Sequence, residues 1–140
     1  MTDTHRVIRI PGVGSAASGE LLMLQHGDDR LPFLPKKVLV VRDIPADAVR
    51  GKHAHKATCE VVGVLSGACS VDIDDGQTTT TVRLTDPHDF LYLPARAWRT
   101  LHSFAPGTAL LIVASEEYDE ADYVRSYDAF QAMLKDDAAV

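Results

Sequence analysis

Short apolar runs of strand length, separated by turn chemistry, set the pattern of this chain. They fall at 4–10 (THRVIRI), 19–25 (GELLMLQ), 36–44 (KKVLVVRDI), 59–67 (CEVVGVLSG), 69–75 (CSVDIDD), 78–84 (TTTTVRL), 89–94 (DFLYLP), 99–105 (RTLHSFA) and 108–115 (TALLIVAS). Their β-branched content predicts strands, and SGA (66–68), DDGQ (74–77) and APG (105–107) are turn chemistry. Such even spacing predicts an antiparallel sandwich or barrel. In SVDID, Val71 and Ile73 share one face while Ser70, Asp72 and Asp74 share the other. EVVGVL is apolar on both faces, which predicts a strand covered by the opposite sheet and by a further element or subunit. The period changes near the C-terminus. Within 120–135, Tyr123, Val124, Tyr127, Phe130 and Leu134 stand at helical spacing. One or two short helices are predicted there, packed outside the β core, with the closing DDAAV frayed. The Gly-x-Gly of GVGSAASG (12–19) lacks the following helix of a dinucleotide-binding turn and reads as a flexible loop.

Composition adds limits. At 140 residues, 46% hydrophobic and 24% charged, the chain suits one globular domain with a sizeable core. No apolar run approaches the ~18 residues of a membrane span. The start, MTDTHRVIRIPGVG, lacks the basic and long apolar regions of a signal peptide. A cytoplasmic protein without a membrane partner is expected. The net charge of −6 (14 basic minus 20 acidic) argues against nucleic acid as a partner. Charge is unevenly spread, however. Residues 36–56 carry six basic and two acidic side chains, and residues 116–128 carry six acidic and one basic. The basic stretch could attract a small anion or serve as a solvated, aggregation-resistant strand edge. Cys59 and Cys69 flank the LSG of a predicted hairpin and form no C-x-x-C, so they read as buried thiols rather than a disulfide or a zinc site.

The candidate chemistry lies in RGKHAHKATCE (50–60). On a strand, His53 and His55 share one face, ~6–7 Å apart. They could ligate a metal with Glu60 as third ligand, titrate near neutral pH, or stand as surface histidines. The stretch GKHAHKATCEVVGVLSG resembles the first motif of the cupin superfamily. That resemblance implies a jelly-roll β-barrel. In metal-binding cupins both histidines and the glutamate are ligands, and a fourth ligand, also histidine, comes from a second motif opening Pro-x-Gly. The second motif here is LPARAWRTLHSF (93–104), with Pro94 in place, Arg96 at the glycine and Arg99 at the fourth ligand. An arginine stays protonated and offers no lone pair. His102 lies three residues on and needs a bulge to turn inward. A histidine pair beside an arginine suits proton transfer on an anionic substrate better than metal binding, although three ligands plus water can still hold zinc.

LPFLPKKVLVV (31–41), VRGKHAHK (49–56), DDG (74–76), PARAWRTLHSF (94–104) and ASEEYDEADYVRSYDAF (114–130) are together similar to the sugar-nucleotide 3,4-ketoisomerase family of small cupins, over about residues 5 to 132. The resemblance implies an all-β cupin jelly-roll barrel over 1–140 with a short C-terminal helical segment. It implies action on dTDP-4-keto-6-deoxy-D-glucose, with the carbonyl moved from C4 to C3 through an enediol. The product feeds an aminotransferase that makes 3-amino-3,6-dideoxy sugars for surface glycans such as O-antigen or for antibiotics. It also implies that neither metal nor organic cofactor is needed, and it implies homodimers with exchanged N-terminal strands. By position the family's catalytic histidines fall on His53 and His55, with Arg99 near the sugar oxygens or diphosphate. Further substrate-binding candidates are Arg50 for the diphosphate, Glu60 to orient a histidine or Arg99, and Trp98 and Tyr92 beside the thymine or sugar ring. His102 and Arg42 complete the set. Arg42 is the polar residue near the end of KVLVVRDI, where family members commonly carry tyrosines, and Lys52 stands where an aromatic is common. Alternatives are a non-catalytic sugar-nucleotide binder, a keto-sugar epimerase and a metal-dependent small-molecule enzyme.

Overall fold

A computed structural model describes residues 3–27 and 30–139. Among them the alternating runs pair into two five-stranded antiparallel sheets. One has the order β1-β9-β6-β11-β4, from Arg6–Arg9 (β1), Asp89–Leu93 (β9), Glu60–Ser66 (β6), Ala109–Ala114 (β11) and Lys37–Val41 (β4). The other has the order β12-β5-β10-β7-β8, from Tyr123–Val124 (β12), Arg50–His55 (β5), Trp98–His102 (β10), Cys69–Asp74 (β7) and Thr79–Leu84 (β8). Val62, Val64, Leu91, Leu93 and Leu110 of the first sheet pack on Val71, Ile73, Leu84 and Leu101 of the second. The result is jelly-roll-like, as the cupin resemblance implies. It departs from the expected barrel because each sheet keeps two edge strands and does not close.

The doubly apolar strand β6 has the predicted two-sided cover. Val62 and Val64 face the opposite sheet, while Val61 joins Ile8, Ile10, Leu31, Phe90, Tyr92 and Val113 on the outer face. The cover is the chain's own N-terminal segment. The predicted hairpin between the cysteines does not form. Gly67, at φ 78°, lies where an added Cβ would approach the Thr108 backbone to 2.6 Å, and from there the chain leaves β6 for β7 in the other sheet. Cys59 and Cys69 are both free thiols. The 12–19 segment, expected as a loop, is a hairpin of Gly12–Ser15 (β2) and Gly19–Leu22 (β3).

The C-terminal helix begins later than its spacing predicts. Asp119 caps a 3₁₀ turn, Glu120–Asp122, and β12 then adds to β5 with Tyr123 opposite His55 and Val124 opposite Ala54. Only after Ser126, whose side chain caps Ala129 N, does α1 (Tyr127–Ala138) start. It buries Phe130 against Ala54 and Val124, with Trp98, Met133 and Leu134 around it. Helix continues into the segment expected to fray, as far as Ala138, because Asp137 in its last turn accepts two hydrogen bonds from Arg96, at 2.6 and 2.8 Å; Val140 lies outside the described residues. No helix among the described residues is long and apolar enough to cross a membrane.

A bulge in β5 positions the candidate residues. Arg99 pairs with His53, but Thr100 pairs with Gly51, so Lys52 is an extra residue. Gly51 and Lys52 both adopt left-handed backbone, φ 81° and 56°. The inserted residue resets the alternation, so that Arg50, His53 and His55 share the inner face. An added Cβ on Gly51 would lie 2.8 Å from the Arg99 carbonyl oxygen. Gly51→Ala is therefore expected to destabilise the protein by about 3 kcal/mol, through left-handed strain plus the clash. Gly19→Ala, at φ +85° with nothing within 4 Å of the new Cβ, is expected to cost about 1 kcal/mol. Urea denaturation of the two variants checks this, and equal losses would mean that the Arg99 carbonyl contact has no consequence.

Candidate active site

Between the sheets lies a cavity of about 400 Å³. Apolar side chains of β4, β6, β9 and β11 make one wall, and Arg50, His53, Glu60, Arg99, Tyr123 and Arg125 supply the polar groups. A cavity of about 360 Å³ beside α1 is lined by neither His53 nor His55.

Two lines of contact set the state of the histidines. His53 Nδ1 lies 3.0 Å from the Gly51 carbonyl oxygen. That oxygen can only accept, so Nδ1 carries the proton and Nε2 keeps its lone pair. His55 Nδ1 lies 2.9 Å from Asp122 Oδ2, which likewise makes it the donor. Asp122 also accepts from Ala57 N at 2.7 Å and Thr58 Oγ1 at 2.5 Å. Partial burial alone would raise the Asp122 pKa; the bonds from Thr58, Ala57 and His55 outweigh it and hold the carboxylate below its usual range. His55 is fully buried, and its Nε2 has no hydrogen-bond partner among the described residues. The nearest acidic oxygen, Glu60 Oε2, is 3.8 Å away. The two imidazoles meet edge to face with centroids 4.9 Å apart.

Arg99 governs the electrostatics. It is buried, and its Nη1 lies 2.5 Å from Glu60 Oε1. Its Nε and Nη2 reach the Ala97 carbonyl at 3.3 and 3.2 Å. Burial pulls the guanidinium pKa down and Glu60 opposes it, and an arginine remains protonated under such conditions. Desolvation first, and the Arg99 charge second, lower His53 to about 4 and His55 to about 3. Both are neutral at neutral pH. His53 is thus a neutral base with a free lone pair on a cavity that also holds a fixed cation. The donor set does not suit a metal ion. Glu60, which would be the third ligand, already accepts from Arg99, and that guanidinium would repel a cation.

The structure brings His53, Glu60, Arg99 and Arg50 together on the cavity, with His55 directly behind. It does not bring the remaining candidates there. Strict alternation along β10 turns Arg99 and Leu101 inward and Trp98, Thr100 and His102 outward. Trp98 packs on Tyr127 and Phe130, with centroids 5.3 and 5.7 Å away. His102 bonds Asp72 and Ser103, at 2.9 Å each. The bulge it would need lies in β5 instead. On β9, Leu91 and Leu93 face the inner core, so Tyr92 faces outward and donates to Asp3. Arg42 lies beyond β4 with its side chain 80% exposed, 3.7 Å from Asp43.

Three residues at the site escaped the sequence reading: Asp122 on His55, Tyr123 on the cavity, and Arg125 with its guanidinium 4.2 Å from the Tyr123 ring centroid. Their signal was the EADYVR run within the segment that carries the family resemblance, masked by its helical spacing.

Comparison with known proteins identifies the family. The family described as WxcM-like, C-terminal (FdtA) matches residues 3–135. A TDP-4-oxo-6-deoxy-alpha-D-glucose-3,4-oxoisomerase from Aneurinibacillus thermoaerophilus is 34% identical over 116 residues, 83% of each chain. A 3,4-ketoisomerase from Helicobacter canadensis has a crystal structure similar at TM-score 0.88 and 28% identity, covering 94% of this chain and 97% of that one. The 3,4-ketoisomerase QdtA from Thermoanaerobacterium thermosaccharolyticum is similar at TM-score 0.89 and 29% identity over 97% of each chain; it was solved as a histidine-to-asparagine variant in complex with TDP-4-keto-6-deoxyglucose. On the family match and the curated relative together, this chain belongs to the FdtA, WxcM-like C-terminal family of sugar-nucleotide 3,4-ketoisomerases.

Proposed function

We propose that this protein isomerises a dTDP-linked 4-keto-6-deoxyhexose, moving the carbonyl from C4 to C3, on the way to 3-amino-3,6-dideoxy sugars. The observation that carries the proposal is the His53 imidazole, neutral and held through Nδ1–H by Gly51, on a cavity that also contains the Arg99 guanidinium. The C3 proton is acidic because C4 is a carbonyl. His53 Nε2 removes it, and charge moves onto the C4 oxygen as the enediolate forms. A fixed cation in a water-poor site stabilises such charge far better than one in water. Arg99 fills that role, its orientation set by Glu60. The proton held on His53 then returns to C4. His55 acts behind His53 as a positioning residue, kept neutral by burial and oriented by Asp122. Arg50 and Arg125, both on the cavity, are suited to the diphosphate, since a guanidinium pairs with two phosphate oxygens. The reaction moves protons only and calls for neither metal nor organic cofactor.

The proposal extends to assembly. The chain acts as one cupin domain in the cytoplasm, as a homodimer that exchanges its N-terminal hairpin. In support, β2 and β3 pair only with each other among the described residues. They expose Val13 at 68% and Leu21 at 56%, and the edge strand β4 exposes Val38 and Val40. Replacing both Val13 and Leu21 by Asp is expected to halve the mass measured by light scattering; an unchanged mass would assign the contact elsewhere.

Activity is tested by NMR in D₂O, with chelator-treated protein and dTDP-4-keto-6-deoxy-D-glucose. The 3-keto sugar is expected to appear. His53→Asn should lower kcat by roughly 10²–10⁴-fold. His55→Gln should lower it by about 10–100-fold, the range for residues that orient a reacting imidazole. Exchange of the C3 proton without a 3-keto product would identify an epimerase, and nucleotide binding without exchange a binding module. The pH dependence follows from the lowered pKa of His53. The basic form of His53 persists down to about 4, so kcat/KM should stay level from neutral pH and fall only as pH drops through about 4. An acid limb centred near the ordinary histidine value of about 6.5 would assign the base to another group.

A further inference from the structure

Tyr123 stands apart from the other tyrosines of the chain. Tyr92, Tyr118 and Tyr127 each donate their hydroxyl to a carboxylate, those of Asp3, Glu120 and Asp74. The Tyr123 hydroxyl makes no hydrogen bond to any described residue, although Tyr123 lines the cavity. Its ring is held on several sides. β12 pairs it with His55, its centroid lies 4.4 Å from that of His55 and 5.0 Å from that of His53, and Arg125 covers it at 4.2 Å. A ring held this firmly with its polar end free is a group presented to a ligand.

The proton inventory of the cavity shows what that group can do. The N–H of His53 is taken by Gly51 and that of His55 by Asp122. Glu60 accepts from Arg99. Arg50, Arg99 and Arg125 donate hydrogen bonds but keep their protons. Among the described residues on the cavity, the Tyr123 hydroxyl alone can both give and take a proton between oxygens. A 3,4-ketoisomerisation needs such a group, because its net change carries one proton from C3 to C4 and a second from the C3 oxygen to the C4 oxygen. His53 handles the carbon-bound proton, and a base fixed for that task cannot also bridge two oxygens.

We propose that Tyr123 is the catalytic residue that relays the oxygen-bound proton, an inference that rests on the ketoisomerase function proposed above. As His53 takes the C3 proton, the C3–H electron pair forms the C3–C4 double bond and the carbonyl π pair moves to the C4 oxygen. That oxygen takes the Tyr123 proton while the Tyr123 oxygen takes the proton of the C3 hydroxyl. The enediolate then carries its charge on the C3 oxygen. That charge forms the C3 carbonyl, and the double-bond pair takes the proton back from His53 at C4. Tyr123 and His53 end as they began. Burial, with Glu60 nearby, raises the phenol above its usual range, which favours a coupled transfer without a free tyrosinate.

Tyr123→Phe keeps the ring against His53, His55 and Arg125 and removes only the hydroxyl. The expected result is a fall in kcat of roughly 10²–10⁴-fold, with KM within about threefold. A variant whose kcat stays within about threefold of an active wild type overturns the relay and leaves the ketoisomerase function standing. A wild type that forms no 3-keto product overturns both. If Tyr123→Phe fails to fold, 3,5-difluorotyrosine at position 123 keeps shape and hydroxyl while lowering the phenol pKa. It is expected to move the alkaline limb of the kcat profile to lower pH, and an unmoved limb overturns the relay.

Discussion

The ion pair between Arg99 and Glu60 joins the two sheets at their most demanding point. Arg99 projects from β10 and Glu60 from β6, and both side chains are almost wholly removed from water. Desolvating a guanidinium and a carboxylate costs several kcal/mol each, which only close, hydrogen-bonded pairing offsets. The geometry meets that requirement, with the pair at 2.5 Å and the Ala97 carbonyl taking two further donors. Removing Glu60 alone would strand a charge between the sheets, a defect typically worth about 3–5 kcal/mol. Burial first and the Arg99 charge second keep both histidines neutral, and the pair occupies the carboxylate that a metal would need.

Around this pair the chemistry depends on backbone detail. Left-handed Gly51 and Lys52 insert one residue into β5, which lets Arg50 and His53 face the cavity with His55 directly behind His53. The Gly51 carbonyl then fixes the tautomer of His53. On the far side, the 3₁₀ turn and β12 deliver Asp122 to His55 and Tyr123 to the cavity. The candidate base is therefore held by one short strand and tuned by residues from β6, β10 and the C-terminal segment. Proton transfer suits this design, because a neutral imidazole beside a fixed cation can take a proton without first losing one.

Much of this was legible beforehand. Strand spacing, the two-sided cover of β6 and the shared face of His53 and His55 follow from a local period of two, which neighbouring residues determine among themselves. Arg99 at a ligand position favours proton transfer over metal binding by its chemistry, since a guanidinium offers no lone pair. The helix start was misjudged because Tyr123 and Val124 satisfy helical spacing as well as they do a strand pair, and the pairing with His55 and Ala54 is a long-range event. Whether the jelly-roll sheets close or keep edge strands was not legible, since closure depends on how the sheets meet and not on any single strand.

By itself, then, the amino-acid order determined the elements, the histidine pair and the arginine beside it. Tertiary structure alone decided which faces meet the cavity. Tyr92, Trp98 and His102 have suitable chemistry but lie on the outward phase of β9 and β10. Period two says which residues share a face; it does not say which face is turned to the cavity when both are covered. Asp122 reached His55 across 67 positions of chain. No local pattern encodes a contact of that range, because it exists only after two sheets, a turn and a short edge strand have packed.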